Sequence, residues 1–159
     1  MTIVFKYRRI LVPLDGSEFA EQALPPALAI AEGMEAELVL FRVAVPIPWT
    51  RELIGAPRLY NELVTAAYRE ARHYLESQRS SLDYGRLSVA AKSGEGGVAR
   101  EIVGHAEENQ VDLIVMSSHG FSGVSRWVRG SVAEKVLAGG TCSTLVVRVW
   151  PDREEGLGA

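Results

Sequence analysis

Two spacings of apolar residues alternate along this chain, and that alternation constrains its fold more than any other feature. Ile10-Leu11-Val12-Pro13-Leu14 is a short unbroken apolar run, the pattern of a strand buried on both faces. Helical spacing follows at once: Ala20, Ala23, Leu24, Ala27, Leu28 and Ala31 recur at three and four residues. Ser17 is placed to cap this helix and Gly33 to stop it. Pro25 and Pro26 inside it either kink the helix or start a new one at Pro25. Leu38-Val39-Leu40-Phe41-Arg42-Val43 reads as a second strand and Leu87 to Ala91 as a third. Between them lie a loop over 44–57 with Pro46, Pro48, Gly55 and Pro57, and an amphipathic helix marked by Leu59, Leu63, Ala67, Ala71 and Leu75. Ala99, Ile102, Val103 and Ala106 mark the next helix. Leu113-Ile114-Val115-Met116 is a fourth strand. Ser131 opens a further helix that Gly139-Gly140 stops, and Leu145-Val146-Val147-Arg148-Val149 is a fifth strand.

Strands that alternate with helices pair in parallel through crossover connections. The expected fold is therefore α/β: a doubly wound, five-stranded parallel sheet in the order 3-2-1-4-5, with helices on both faces. In that order strands one and four are neighbours where the winding reverses, and ligands bind in the crevice beyond their carboxyl ends. With 159 residues the chain reads as one domain over 1–151, followed by a polar, frayed tail over 152–159. A net charge of −3 argues against a general nucleic-acid binder. No apolar run is long enough for a bilayer, and Met1 to Arg9 runs apolar to basic, the reverse of a signal peptide. The single cysteine, Cys142, cannot close an internal disulfide, so a cytoplasmic setting is expected.

The segments that meet at the crevice are the most distinctive in the chain. Strand one ends in Pro13-Leu14-Asp15-Gly16-Ser17. Strand four ends in Met116-Ser117-Ser118-His119-Gly120, and a polar loop with Gly123, Arg126 and Arg129 leads to Gly130-Ser131. Gly120 and Gly123 permit positive φ and close backbone approach, so several peptide N–H groups can converge on one anion. The helix opening at Gly130-Ser131 favours a phosphate at its N-terminus. Arg126 and Arg129 add charge-assisted bonds. Against this, Ser131 and Glu134 also fit a capping box, which needs no ligand. Asp15 reads either as a ligand for ribose hydroxyls or a phosphate-borne metal, or as a helix-start carboxylate. His119 reads as a solvated loop histidine, with contact to a phosphate as its second reading, and Ser17 reads as a cap. The loop is neither a Walker A motif nor the Rossmann fingerprint.

The fragments Ile10-Leu11-Val12-Pro13-Leu14-Asp15-Gly16-Ser17, Asp112-Leu113-Ile114-Val115-Met116 and Ser118-His119-Gly120 through Gly130-Ser131-Val132-Ala133-Glu134 resemble the universal stress proteins. The resemblance covers about residues 8 to 149. It implies an adenine nucleotide alpha hydrolase-like fold and a homodimer paired through the last strand, Leu145 to Val149. Members that bind ATP carry G-x-x-G, nine residues, then G-[ST]. Here Gly120 takes the second glycine, and nine residues separate it from Gly130-Ser131. Ser117 stands in place of the first glycine, which implies weakened or altered binding. By the same resemblance Gly120, Gly130, Ser131 and Val132 hold phosphates and ribose. Pro13 and Asp15 line the ribose and adenine side, Val43 offers backbone bonds to adenine, and Met116 packs near the base. Arg126 is added from charge and position. The implied role is a stress-response module that binds ATP, or AMP or ADP, with or without magnesium at Asp15. Hydrolysis is expected to be slow at most, since no residue stands out as a general base. The alternative is an interaction module that works through its dimer and partner surface.

Overall fold

The computed structural model describes residues 5–45, 56–94, 97–119 and 131–148. Its elements run β1 (Arg9–Pro13), α1 (Glu18–Glu21), α2 (Leu24–Met34), β2 (Glu37–Ala44), α3 (Pro57–Ser81), β3 (Leu87–Ser93), α4 (Val98–Glu108), β4 (Leu113–Ser117), α5 (Ser131–Gly139) and β5 (Ser143–Val147). The five strands form one parallel sheet in the order β3-β2-β1-β4-β5. Among the described residues, no helix is long and apolar enough to cross a membrane.

The sheet separates two apolar layers because successive strand residues point to opposite faces. Ile10, Val12, Leu38 and Leu40 pack with Ala27 and Ala31 of α2 and Leu75 of α3. Leu11, Val39, Phe41, Ile114 and Met116 pack with Ile102 and Ala106 of α4 and Val136 of α5. Fully burying each of the larger side chains contributes about 1.5–3 kcal/mol. Small alanines on α2 let that helix lie close to the sheet. At the foot of the sheet the Asp112 carboxylate accepts from the Arg8 and Arg9 amides at 2.8 and 3.1 Å. This contact ties the entry of β1 to that of β4.

Of the two expectations at Pro25-Pro26, the start of a new helix is the one found. α1 is a single short turn capped by Ser17, whose side chain accepts from the Ala20 amide, and both prolines occupy the first turn of α2. There the missing proline N–H costs nothing, because a first-turn amide has no carbonyl to bond. Two expected boundaries shift. Gly33 does not stop α2: the helix continues through Met34, and Glu35 takes the left-handed turn at φ 54°. Ala36 then returns its N–H to the Ala31 carbonyl and is buried, while Glu37 bonds to Arg8 and enters the sheet. The stop is thus placed by where β2 must join β1. The last strand begins at Ser143, opposite Leu113 of β4, rather than at Leu145. Val149, the end of the expected strand, lies outside the described residues. Gly140 does end α5, for its N–H bonds to the Val136 carbonyl so closely that a Cβ would lie 2.8 Å from that oxygen.

Candidate ligand crevice at the switch point

The register of β1 opens the site. β1 pairs with β4 at Ile10↔Leu113 and Leu11↔Ile114, while its pairing with β2 continues to Pro13↔Phe41 and β4 continues beside β5 to Ser117↔Val147. Beyond Leu11 the two central strands therefore part. The gap is a cavity of about 470 Å³, within the range of small-molecule sites. Pro13 lines it from β1, Asp15 from the turn after β1, Val43 from β2, Met116 and Ser117 from β4, and Ser131 and Val132 from α5. Gly120, Arg126 and Gly130 lie outside the described residues. The buried polar residues of the described chain are Ser17, Ser117 and Ser118; the last two line this crevice, and Ser17 bonds to Asp15, which also lines it. Buried polar groups need partners, and their gathering here separates this end of the sheet from the apolar layers below.

Each wall follows from local structure. At Asp15 the chain leaves β1 and turns back; Oδ1 accepts from the Ser17 N–H at 2.9 Å and from its hydroxyl at 2.6 Å. The carboxylate thus shapes the start of α1, as the helix-start reading required, while it also lines the cavity. Gly16 has φ 90°, and a Cβ there would lie 3.1 Å from the Arg42 guanidinium. Only glycine combines that dihedral with that neighbour at low cost.

On β2, carbonyl directions alternate. Phe41 presents its carbonyl to the β1 side, where it accepts from Leu14 at 2.8 Å, and Ala44 presents its own to the β3 side, where it accepts from Gly94 at 2.9 Å. The alternation turns the peptide groups of Val43 toward the β1 side, past the last β1–β2 pair. An adjacent N–H donor and C=O acceptor on one strand edge match the paired acceptor and donor of a planar heterocycle. Gly94 guards this geometry, since a Cβ there would lie 2.6 Å from a Val43 methyl.

Ser117 is the last residue of β4, and it has no positive φ. The Cβ that replaces a glycine hydrogen is therefore accommodated without backbone strain. Its hydroxyl donates to the His119 carbonyl. Ser118 donates its N–H to the Val147 carbonyl at 2.8 Å, and its hydroxyl lies 2.9 Å from His119 Nδ1. His119 lines the cavity, and its Nε2 is buried with no hydrogen-bond partner among the described residues.

One group of residues at the crevice went unnoticed in the sequence. Arg42 lines the cavity and makes a two-pronged ion pair with Glu70 of α3, at 3.1 and 3.0 Å. Its guanidinium also sits 4.8 Å from the centroid of the Tyr74 ring. The Tyr74 hydroxyl donates to Glu21 at 2.8 Å, and Gln78 donates to the same oxygen. Burial, and then the acceptor at Glu21, push the Tyr74 phenol well above the ordinary tyrosine value. On the opposite face His105 stacks on Phe41 at 4.4 Å, and burial holds its imidazole below the usual range. The available signal for Arg42 was a lone cation inside an apolar strand run. Val98 and Ile102 of α4 also line the cavity, and nothing local in their sequence distinguished them from ordinary core.

Fold and crevice together define a doubly wound α/β domain with a cavity where the winding reverses. The model of the universal stress protein family matches residues 6–148, so the chain belongs to that family. The universal stress protein MJ0531 of Methanocaldococcus jannaschii is 33% identical over 147 residues, spanning 89% of this chain and 82% of its own. The solved structure of MJ0577, from the same organism, superposes with TM-score 0.78 at 31% identity, over 93% of this chain and 100% of that one. Two more distant solved structures share the fold and hold adenine nucleotides. One is a universal stress protein in complex with cAMP, at 23% identity and TM-score 0.57. The other is a family protein from Arabidopsis thaliana with AMP bound, at 16% identity and TM-score 0.58.

Proposed function

We propose that the crevice binds an adenine nucleotide, ATP foremost, and that occupancy makes the domain a stress-response module. The observation that carries this reading is the convergence of Pro13, Asp15, Val43, Met116, Ser117, Ser131 and Val132 on one cavity at the switch point. In this reading the Val43 peptide edge meets adenine, Asp15 accepts from ribose hydroxyls, and Met116 packs against the base. Ser131 and Val132 at the start of α5 receive phosphates, with Gly120, Gly130 and Arg126 as their neighbours in sequence. Magnesium, where present, arrives with the phosphates and takes a ligand from Asp15. Cys142 as the lone cysteine suits a reducing cytoplasm.

Hydrolysis in this scheme is slow at most. Asp15 is engaged at the turn, and Glu70 is paired with Arg42. Neither is set to activate a water. Thermal shift tests the binding. A ligand at about a hundred times its dissociation constant adds about 2.7 kcal/mol, which raises the melting point by about 5–11 °C for a domain of this size. ATP and AMP, each with and without magnesium, are the probes. An unmoved melting point with every adenine nucleotide at millimolar concentration removes this reading.

The second reading, an interaction module without ATP, draws on Ser117, whose hydroxyl is turned onto its own chain rather than left for a ligand. The dimer belongs to both readings. β5 is an outer strand of the sheet, and Leu145 on it is 38% exposed. Such an edge pairs readily with its twin. Light scattering at micromolar concentration should give twice the monomer mass of 17.4 kDa, and a monomer would refute the pairing.

A further inference from the structure

The Arg42–Glu70 pair has no part in the binding scheme above, yet it stands in the wall of the cavity. α3 is 25 residues long, and its buried residues are Ala71 and Leu75. Residues 57–70, the half N-terminal to them, are partly buried or exposed throughout. This half supplies Ala67 and Glu70 to the cavity wall. Apolar burial therefore fastens the second half of the helix and leaves the first half to other contacts.

Arg42 provides such a contact from the sheet. Its guanidinium is held by both oxygens of Glu70 and by the Tyr74 ring, and it lies close to the turn at Gly16. Its side chain is 15% exposed, against 64% for Glu70. The arginine is thus the fixed half of the pair and the glutamate the half that moves with the helix. A planar fork opposite a carboxylate holds orientation as well as distance.

We propose that Arg42 is a positioning residue for the ligand: by clasping Glu70 it holds the N-terminal half of α3 against the crevice and so sets the rate at which a bound nucleotide leaves. The kinetic half of this inference rests on the adenine-nucleotide reading; the structural half does not. Because Glu70 faces water, salt screens the pair, and nucleotide release should quicken as ionic strength rises.

Hydrogen exchange on the unliganded protein tests the clasp. In Arg42→Met and in Glu70→Gln, amides of 57–70 should exchange faster, by up to about fivefold, the upper size of effect that loss of one well-formed ion pair gives. Those of 71–81 should not change. The double variant should match Arg42→Met, which already removes the pair and the contact with the Tyr74 ring, and Arg42→Lys should recover part of the protection. Unchanged exchange in 57–70, effects that add in the double variant, or a loss of protection spread over the whole domain would each overturn the clasp. For the kinetic half, release of a fluorescent N-methylanthraniloyl AMP should quicken by up to about fivefold in both single variants and lose its salt dependence. Release that stays unchanged while 57–70 loosens would overturn that half. If the wild-type chain fails to hold the probe, the nucleotide reading and its kinetic consequence fall, and the exchange data still decide the clasp.

Discussion

Phe41→Ala should be the most damaging single change among those considered, with a loss of about 3–5 kcal/mol. Phe41 has 0% exposure, lies on β2 between β1 and β3, and stacks on His105 of α4. Truncation removes that stacking and most of the contact between β2 and the α4 layer, and it leaves a void next to an existing cavity. The strand cannot close over the void, because its backbone is held on both sides by β1 and β3. For a chain of 159 residues each kcal/mol moves the melting point about 2–4 °C, so a drop of about 6–20 °C is expected. Differential scanning calorimetry measures it directly. Leu59→Ala on α3, where Leu59 is 48% exposed, serves as the contrast and should stay within about 0.5 kcal/mol. A Phe41 variant that melts within a degree or two of the wild type would mean that the α4 layer repacks, against the burial described.

Asp15→Asn should separate the binding role of this residue from its structural one. The asparagine carbonyl can still accept from the Ser17 amide and hydroxyl, the two bonds that Asp15 Oδ1 makes at the turn. Stability should therefore change by less than about 1 kcal/mol. The negative charge goes, and with it the charge-assisted bonds to ribose hydroxyls, which contribute about 1.5–3 kcal/mol. Affinity for AMP should fall about tenfold to a hundredfold. Titration calorimetry supplies the affinity and a melt supplies the stability. Equal affinity in wild type and variant would take Asp15 out of the site and leave it as a turn residue. A large loss of stability would mean instead that the carboxylate charge itself holds the turn.

The alternation of strand and helix periods was readable residue by residue, and it allowed the strand order that the sheet has. A continuous apolar run such as Leu113 to Met116 has one good solution, a strand buried on both faces, and that choice needs no knowledge of distant residues. The crevice was legible for the same reason. Once β1 and β4 are neighbours, their ends open on one crevice, so Asp15 and Ser117 come to line the same cavity. Boundaries were less legible. Gly33 has the freedom to end a helix, yet Glu35 does so, because hydrogen bonds from Glu37 to β1 set where the chain must straighten.

What the sequence by itself determined is the class of fold, the edge of the sheet at which the crevice opens, and the residues that the ends of β1 and β4 deliver to it. Only the tertiary structure decided which side chains close that crevice from its flanks. Arg42 lies 28 positions from Glu70, and Tyr74 lies 53 from Glu21. Periodicity carries information over a few residues, because it reports which face of one element meets the core. The register at which a long helix settles on a sheet depends on how two surfaces interlock, and no single segment holds that information.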